Sequence, residues 1–404
     1  MDKIVIVGGG AAGVAAAETL RQEGYVGRLA LLCAEAELPY DRPPLSKQVL
    51  TGAWDSGRTR LREASHYADL GIRLVPGQAS GLDTVARTVL LQDGCELGYD
   101  HLVIATGVRP RLLPAGHDLA GVHVLRSARD ATALRDAFAA SASVVIVGAG
   151  LLGMEVAAAA ATRGLRVTVV DPLDQPMTRQ VGPLVGAAVA RLHREHGVAV
   201  RTGALVTGLT GTASGRVTGV LLANGSVISA ECVVIAIGSV PATEWLRGSG
   251  LTVGDGLECD EFCRAAPGVY AAGDVASWIH PGYRRRLRIE HWMHAVEQGT
   301  AAARNLLRGA KKRPGDPEPF APVPYFWTDQ YKVKLQVYGD PDLASGTATI
   351  AEGSVDEGRF VALYRKDGIV TAVLGWNAAA RLPGYRKLLT DQRTAGSPHP
   401  GQPS

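Results

Sequence analysis

The sequence predicts an α/β protein built from two tandem copies of one strand–helix–strand module, followed by a smaller α+β domain. Three observations predict it. A β-branched run, a set of spaced glycines and an Ala-rich helix occur at the start of the chain and again over residues 144–171. Each copy is followed by short alternating runs that close on a second apolar strand ending in glycine. Beyond a Pro- and charge-rich linker at residues 311–324, strand-like runs separated by Gly/Asp turns replace the earlier alternation of strands and helices.

Composition bounds the function. At 404 residues the chain has room for two or three domains, each with its own core. Hydrophobic content of 46% and charged content of 20% suit a globular protein, and the 49 glycines follow no fixed period, which excludes a collagen-like chain. A formal net charge of +3 is too small to imply nucleic-acid binding. The cysteines Cys33, Cys95, Cys232, Cys259 and Cys263 form no disulfide framework, and Cys259 and Cys263 lack the second Cys/His pair that a metal site would need. A first strand beginning at Lys3 leaves no room for a secretory leader, and no run of apolar residues is long enough to span a membrane. A cytoplasmic protein is expected.

The first module opens with a strand at residues 4–7, then Gly8-x-Gly10-x-x-Gly13, a helix to about Gly24, and a strand at 29–33 that ends near Glu35. A Cβ at such glycines would block the tight turn, the approach of a pyrophosphate or the packing of helix on strand, while the helix N-terminus offers bare N–H groups to phosphate. An acid at the end of the second strand is placed to accept hydrogen bonds from a ribose. The glycine pattern alone also fits a structural turn; strand, helix and acid in register favour a Rossmann-like dinucleotide site. Residues 39–47 (PYDRPPLSK) follow, a dense set of turn formers in which prolines hold Arg42 and Lys47; by themselves they also suit an ordinary surface turn. Short runs at 72–75, 88–91 and 101–104 suggest a three-stranded excursion returning to the first sheet, with Ala105-Thr106-Gly107 at its end.

After a helix at about 128–140, the second module carries Gly148-x-Gly150-x-x-Gly153 and the acid Asp171, and closes on residues 232–238. A further strand and turn, GVYAAGD, ends in Asp274, which could cap the next helix or bind a cofactor polyol; the tandem frame favours the second. A helix from near Glu290 to Arg308 precedes the linker. Strands are expected at 333–337, 345–351, 360–365 and 369–374, then a helix at 381–389 and a disordered tail from about 394. The predicted domains are a discontinuous first one, 1–112 with 246–320, a second at 113–245, and the C-terminal α+β domain at 321–404.

The motifs GGGAAG, YDRPPLSK, LVIATGVRPR, IVGAGLLGMEVA, GVYAAGDVA, RIEHWMHAVEQG and YFWTDQY occur in that order. Through them nearly the whole chain resembles the FAD-dependent, NADH-using ferredoxin reductases that serve bacterial cytochrome P450s and ring-hydroxylating oxygenases, the putidaredoxin reductase family, built on the glutathione-reductase fold. The resemblance implies two tandem Rossmann-like domains and a C-terminal interface domain. It assigns Gly8, Gly10, Gly13 and Glu35 to the adenosine half of FAD, Arg42, Pro43 and Lys47 to the segment beside the flavin, Asp274 to the ribitol, and Trp327 to a cover over the flavin ring. Thr106, Gly107, Arg126, Gly273 and Trp292 join these as cofactor-binding candidates. Gly148, Gly150, Gly153 and Asp171 are assigned to NADH, Glu155 to a position near the nicotinamide, and Arg179 to a place near the NAD adenosine; Leu152 and Gly238 are further cofactor-binding candidates. Asp171 stands where the family usually has Glu, Ala242 where Asn is common, and residues 376–381 follow the family pattern loosely.

Disulfide reductases of this fold need a Cys-x4-Cys pair after the first fingerprint, yet Cys33 stands alone and residues 36–60 contain no cysteine. The expected reaction is therefore hydride transfer from NADH to FAD and single-electron delivery to a [2Fe–2S] ferredoxin. Lys47, Glu155 and Trp327 are the expected reaction-site residues. Lys47 is expected near flavin N5 and paired with Glu155, against the alternative of a plain structural ion pair; Trp327 could also be an ordinary core aromatic. A carboxylate at Asp171 accepts ribose hydroxyls and repels a 2′-phosphate, a charged hydrogen bond of this kind being worth ~1.5–3 kcal/mol, which favours NADH. Arg284, Arg285, Arg286 and Arg288, with Lys332 and Lys334, form the candidate ferredoxin dock, or else a solvated loop. The rival readings are a reductase of rubredoxin or of a small oxidant such as a quinone, monodehydroascorbate or O2, and an NADH-sensing flavoprotein resembling apoptosis-inducing factor.

Overall fold

Strand runs without a polar face can only be buried on both sides, and here they form parallel sheets. Ile4, Val5, Ile6, Leu102, Val103 and Ile104 expose no surface at all. The computed structural model describes residues 2–340 and 347–395. It divides the chain into two compact units: one comprises Met1–Asp41, Gly57–Arg109 and Ser239–Pro322, the other Arg42–Ser56, Pro110–Gly238 and Val323–Ser404.

The first unit is organised by a six-stranded sheet in the order Arg264–Ala266, Val269–Ala271, His101–Ile104, Lys3–Val7, Arg28–Cys33 and Ile72–Pro76. All neighbours are parallel except the first pair, and Val5 lies opposite Ala30 on one side and Leu102 on the other. The helices Ala11–Gln22 and Trp292–Gly309 cross closely, because a Cβ on Gly299 would stand 2.3 Å from the Ala12 carbonyl oxygen. A four-stranded sheet, Val253–Gly254, Gly256–Cys259, Ala276–His280 and Arg285–Leu287, completes the unit.

One expectation fails here. The run at 72–75 is the edge strand of the main sheet, paired parallel with Arg28–Cys33, and not part of the excursion; the strand at 101–104 is likewise a central strand of that sheet. The three-stranded excursion is Ala79–Asp83, Thr88–Leu91 and Glu96–Gly98. Its outer strands hold few β-branched or aromatic residues, so register with the middle strand, rather than propensity, makes them strands.

The second unit repeats the plan with a five-stranded parallel sheet: Ala199–Arg201, Arg166–Val170, Ser143–Val147, Cys232–Ile235 and Val122–His123. The unit also contains a three-stranded antiparallel meander over residues 206–229 and the helices Leu151–Thr162 and Thr178–Glu195. The latter helix is broken at Gly182 (φ 68°), followed by Pro183, so its first turn is a separate short piece. The C-terminal part is a five-stranded antiparallel sheet in the order Tyr325–Gln330, Val333–Gly339, Ile369–Trp376, Arg359–Lys366 and Thr347–Ser354. The strand Tyr325–Gln330 was not expected, because it emerges directly from the Pro-rich linker. Its alternating burial nonetheless puts Phe326, Thr328 and Gln330 on the inner face and Tyr325, Trp327 and Asp329 on the other. The last helix, Leu382–Ala395, is longer than expected and includes the first two residues of the expected tail, 394 and 395. The rest of that tail, and the first two residues of the strand expected at 345–351, lie outside the described residues. Among the described residues no helix is long and apolar enough to cross a membrane.

Candidate functional site

Two glycine cradles of nearly the same geometry stand at the ends of the two parallel sheets. In the first, a Cβ on Gly8 (φ +119°) would lie 2.2 Å from the Ala105 carbonyl oxygen, and one on Gly13 would lie 1.9 Å from the Gly8 carbonyl oxygen. Only glycine lets the strand, the turn and the helix approach this closely. Gly10 differs, since nothing lies within 4 Å of where its Cβ would be. It is the N-cap of the helix Ala11–Gln22 and gives no side-chain cap, so open space faces bare helix-terminal N–H groups. That is the donor arrangement that holds a dinucleotide pyrophosphate, and FAD fits it. Glu35, just past the strand Arg28–Cys33, accepts the Tyr40 hydroxyl proton in a hydrogen bond that fixes its carboxylate.

The other first-unit candidates surround the same sheet end. Gly273 (φ +77°) would bring a Cβ to 2.9 Å from the Ala12 Cβ, and its N–H donates to Gln298 Oε1 at 2.9 Å, which holds the turn bearing Asp274 against the helix Trp292–Gly309. Trp292, at the start of that helix, donates from Nε1 to Asp41 Oδ1 at 2.7 Å. Burial raises the Asp41 carboxyl above its usual range, partly offset by that hydrogen bond and by Arg62. Thr106 Oγ1 donates to the Ala242 carbonyl at 2.9 Å, and the Ala242 N–H to the Gly107 carbonyl at 3.0 Å. The backbone of Ala242 thus joins the two segments.

The second cradle repeats the first. The Cβ positions of Gly148 (φ +106°) and Gly153 meet the carbonyl oxygens of Ala236 at 2.2 Å and Gly148 at 2.0 Å. Gly150 caps the helix Leu151–Thr162 without a side-chain bond, and Leu152 sits half-buried in its first turn. Asp171 accepts from the Ala149 N–H at 2.7 Å through Oδ2 and from the Leu173 N–H at 2.8 Å through Oδ1. Each oxygen keeps a free lone pair, so the carboxylate is oriented yet still able to accept ribose hydroxyls. NAD fits this cradle. Arg179 is exposed on the short helical piece before Gly182 and makes no ion pair among the described residues. Gly238 (φ +98°) accepts the Arg111 N–H at 2.9 Å.

The helix of the second cradle also carries Glu155, which is 8% exposed. Lys47 Nζ lies 2.7 Å from Glu155 Oε2, so the expected pair is present. Lys47 stands on a single π-helical turn, Leu45–Val49, in which the Val49 N–H reaches back to the Pro44 carbonyl at 3.0 Å. Such turns re-aim a side chain and recur at functional sites. Lys47 also donates to the Pro43 carbonyl at 3.1 Å, and Arg42 to the Arg126 carbonyl at 2.6 Å. Two partners of Glu155 were not foreseen: Ser46 Oγ donates to Oε2 at 2.5 Å and Thr328 Oγ1 to Oε1 at 2.7 Å. Both are buried hydroxyls outside any glycine or charge pattern; the alternation of the strand Tyr325–Gln330 was the one available signal for Thr328. Trp327, on the opposite face of that strand, is half-buried and stacks on Tyr325 with ring centroids 6.0 Å apart.

The basic cluster is partly engaged within its own unit. Arg286 is bound to its own unit through Glu258 at 3.2 Å and the Cys259 carbonyl at 3.0 Å. Arg288 pairs with Asp255 at 2.9 Å and Glu290 at 2.5 Å, and its side chain is 13% exposed. These two guanidiniums carry acids of their own unit, which offset part of the positive charge expected at this surface. Arg284 and Arg285 are exposed, Arg285 lying over the Tyr283 ring. Lys334 stands 3.8 Å from Asp329.

All five cysteines are free. Burial pushes the Cys33 thiol up to about 11 and those of Cys232 and Cys259 to about 12. None of these is a thiolate at neutral pH, so none is poised for thiol–disulfide exchange.

Comparison with known proteins gives a consistent result. The family model described as pyridine nucleotide-disulphide oxidoreductase matches residues 2–299, and the one described as reductase C-terminal matches residues 325–402. The chain is 40% identical over 363 residues to rhodocoxin reductase of Rhodococcus erythropolis, covering 88% of this chain and 82% of that one. It is 35% identical over 381 residues to the ferredoxin–NAD(+) reductase subunit of the benzene 1,2-dioxygenase system of Pseudomonas putida, covering 93% and 90%. Among solved structures, the covalent putidaredoxin reductase–putidaredoxin complex superposes with a TM-score of 0.90 at 33% identity, covering 96% of this chain and 93% of that one.

Proposed function

The chain belongs to the pyridine nucleotide-disulphide oxidoreductase family, among its ferredoxin reductases, and we propose that it is an FAD-containing NADH:ferredoxin oxidoreductase. It acts in the cytoplasm and serves a cytochrome P450 or a ring-hydroxylating oxygenase. The observation that carries this reading is the pair of glycine cradles in a chain whose cysteines are all free and unactivated. Bound FAD would supply the chemistry that links a two-electron donor, NADH, to a one-electron acceptor, a [2Fe–2S] ferredoxin.

The residues supply position and charge. The discontinuous domain 1–112 and 246–320 holds FAD through Gly8, Gly10, Gly13, Glu35, Thr106, Gly107, Gly273, Asp274 and Trp292, joined by Arg126. The domain 113–245 holds NADH through Gly148, Gly150, Leu152, Gly153, Gly238 and Asp171, with Arg179 beside the adenosine. Lys47 brings a cation that favours an anionic reduced cofactor, and Glu155 fixes the place of its ammonium. Trp327 excludes water. Arg284, Arg285, Lys332 and Lys334 contribute the positive charge that attracts an acidic ferredoxin.

The test is NADH-dependent cytochrome c reduction by the FAD-loaded protein, run without carrier and with a panel of small ferredoxins. Strong dependence on one [2Fe–2S] protein is expected. Equal rates with and without every carrier would transfer the assignment to a small oxidant.

A further inference from the structure

Glu155 is the end of a chain of buried polar groups that the reductase reading leaves unused. Thr328, Gln330 and His193 each expose no surface, and they connect the helix Leu151–Thr162, the strand Tyr325–Gln330 and the helix Thr178–Glu195 within the second unit. Thr328 Oγ1 lies 2.7 Å from Glu155 Oε1, Gln330 Nε2 is 3.3 Å from Thr328 Oγ1, His193 Nε2 is 2.9 Å from Gln330 Oε1, and the Tyr331 hydroxyl is 3.3 Å from His193 Nδ1.

The inventory of donors fixes the direction of every link. A carboxylate only accepts, so Thr328 gives its one proton to Glu155 and must itself accept from Gln330. Gln330 then presents its oxygen to His193, which places the imidazole proton on Nε2 and leaves Nδ1 to accept from Tyr331. The second amide proton of Gln330 goes to Met177 Sδ at 3.4 Å. Burial pushes the His193 imidazole down to about 4, so at neutral pH it keeps one donor and one acceptor, as the chain requires. The outer end is held as well. Tyr331 adopts φ 55°, a conformation bulky side chains rarely take, and its ring stacks on His196 at 3.7 Å.

We propose that His193 and Gln330 are positioning residues for Glu155: a one-way hydrogen-bond chain aligns its Oε1 and so leaves Oε2 to Ser46 and Lys47. An apolar core would join the helices to the strand without the cost of burying these groups, whereas a polar chain also sets the rotation of the carboxylate at its end. The inference rests on the reading of Glu155 as a residue of the NADH reaction site.

The test compares His193→Leu, His193→Gln, Gln330→Met, Glu155→Gln and the double variant His193→Leu/Glu155→Gln in the FAD-loaded protein. Three readouts are taken: NADH:ferricyanide kcat/KM, NAD+ affinity by fluorescence titration, and thermal midpoint. Misplacing a reacting group lowers rates by orders of magnitude, so His193→Leu and Gln330→Met are expected to lower kcat/KM by about tenfold. His193→Gln, which keeps a donor near the Nε2 position, is expected to stay within about twofold of the parent, and the double variant to be no worse than Glu155→Gln alone. A lowered thermal midpoint with unchanged kcat/KM and NAD+ affinity would reduce the chain to a structural tie and overturn the proposal, as would additive losses in the double variant. If Glu155→Gln itself left kcat/KM unchanged, the reading of Glu155 would fall and the positioning role with it. Gln330→Met keeps the test decisive if His193→Leu does not fold.

Discussion

In the proposed reading Asp171 favours NADH, and two backbone amides aim its carboxylate. Asp171→Asn keeps one acceptor and removes the charge that repels a 2′-phosphate. Losing a charged hydrogen bond of ~1.5–3 kcal/mol predicts that the NADH/NADPH ratio of kcat/KM falls by roughly ten- to a hundredfold. Steady-state kinetics with both cofactors measure this, and an unchanged ratio would remove Asp171 from cofactor choice. Buried histidines set a second property. His193 and His294 are neutral in the folded protein, with imidazoles pushed by burial down to about 4 and about 3. The unfolded chain takes up protons near pH 6.5 and the folded one does not, so this stability is complete above about 6.5 and lost as pH falls toward 4. For His193 the loss amounts to something on the order of 3 kcal/mol. The thermal midpoint should therefore fall between pH 7.5 and pH 5, and fall less in His193→Gln; an equal fall would acquit His193. These residues were only partly legible in the sequence. Asp171 stands at a fixed place after a fingerprint, while His193 continues the four-residue spacing of Val181, Val185 and Val189, which signals burial but not the groups it bonds.

At the scale of elements, the cradles are defined by what they exclude. A side chain at Gly153 would collide with the Gly148 carbonyl, so Gly153→Val must push the helix Leu151–Thr162 off its strand. The expected outcome is loss of NAD+ binding with the flavin content, read from the visible spectrum, kept near the parent value. Retained NAD+ affinity would show that this cradle is not the nicotinamide site. The strand Tyr325–Gln330 illustrates the limit of pattern reading. Its period-2 burial is regular, yet Pro322 and Pro324 stand directly before it, and no strand is expected between the linker, which ends at 324, and residue 333. The short strands Ala79–Asp83 and Glu96–Gly98 were missed for a different reason, since pairing with a neighbour and not local composition makes them strands.

At the scale of the molecule, the proposed docking of a ferredoxin is a matter of charge. The chain is close to neutral, with a formal net charge of +3, so attraction to an acidic ferredoxin depends on local cations. The double reversal Arg284→Glu/Arg285→Glu is expected to slow ferredoxin-dependent turnover and to flatten its dependence on salt. Arg286→Glu should instead lower the midpoint, because it breaks the pair with Glu258. Turnover of the double variant matching the parent at all ionic strengths would exclude this surface as the dock.

The sequence by itself determined the tandem α/β plan, the two cradles, the acid Asp171 and the absence of a cysteine pair. These are local matters: steric exclusion at a glycine and the periodicity of burial are written in neighbouring residues. Only the tertiary structure decided which acids lie against the basic cluster, since Arg286 meets Glu258 and Arg288 meets Asp255 from positions distant in the chain. It also decided what surrounds Glu155. Ser46, Thr328, Gln330 and His193 come from three separate segments, and a buried carboxylate collects its donors from whatever the fold brings within hydrogen-bonding reach.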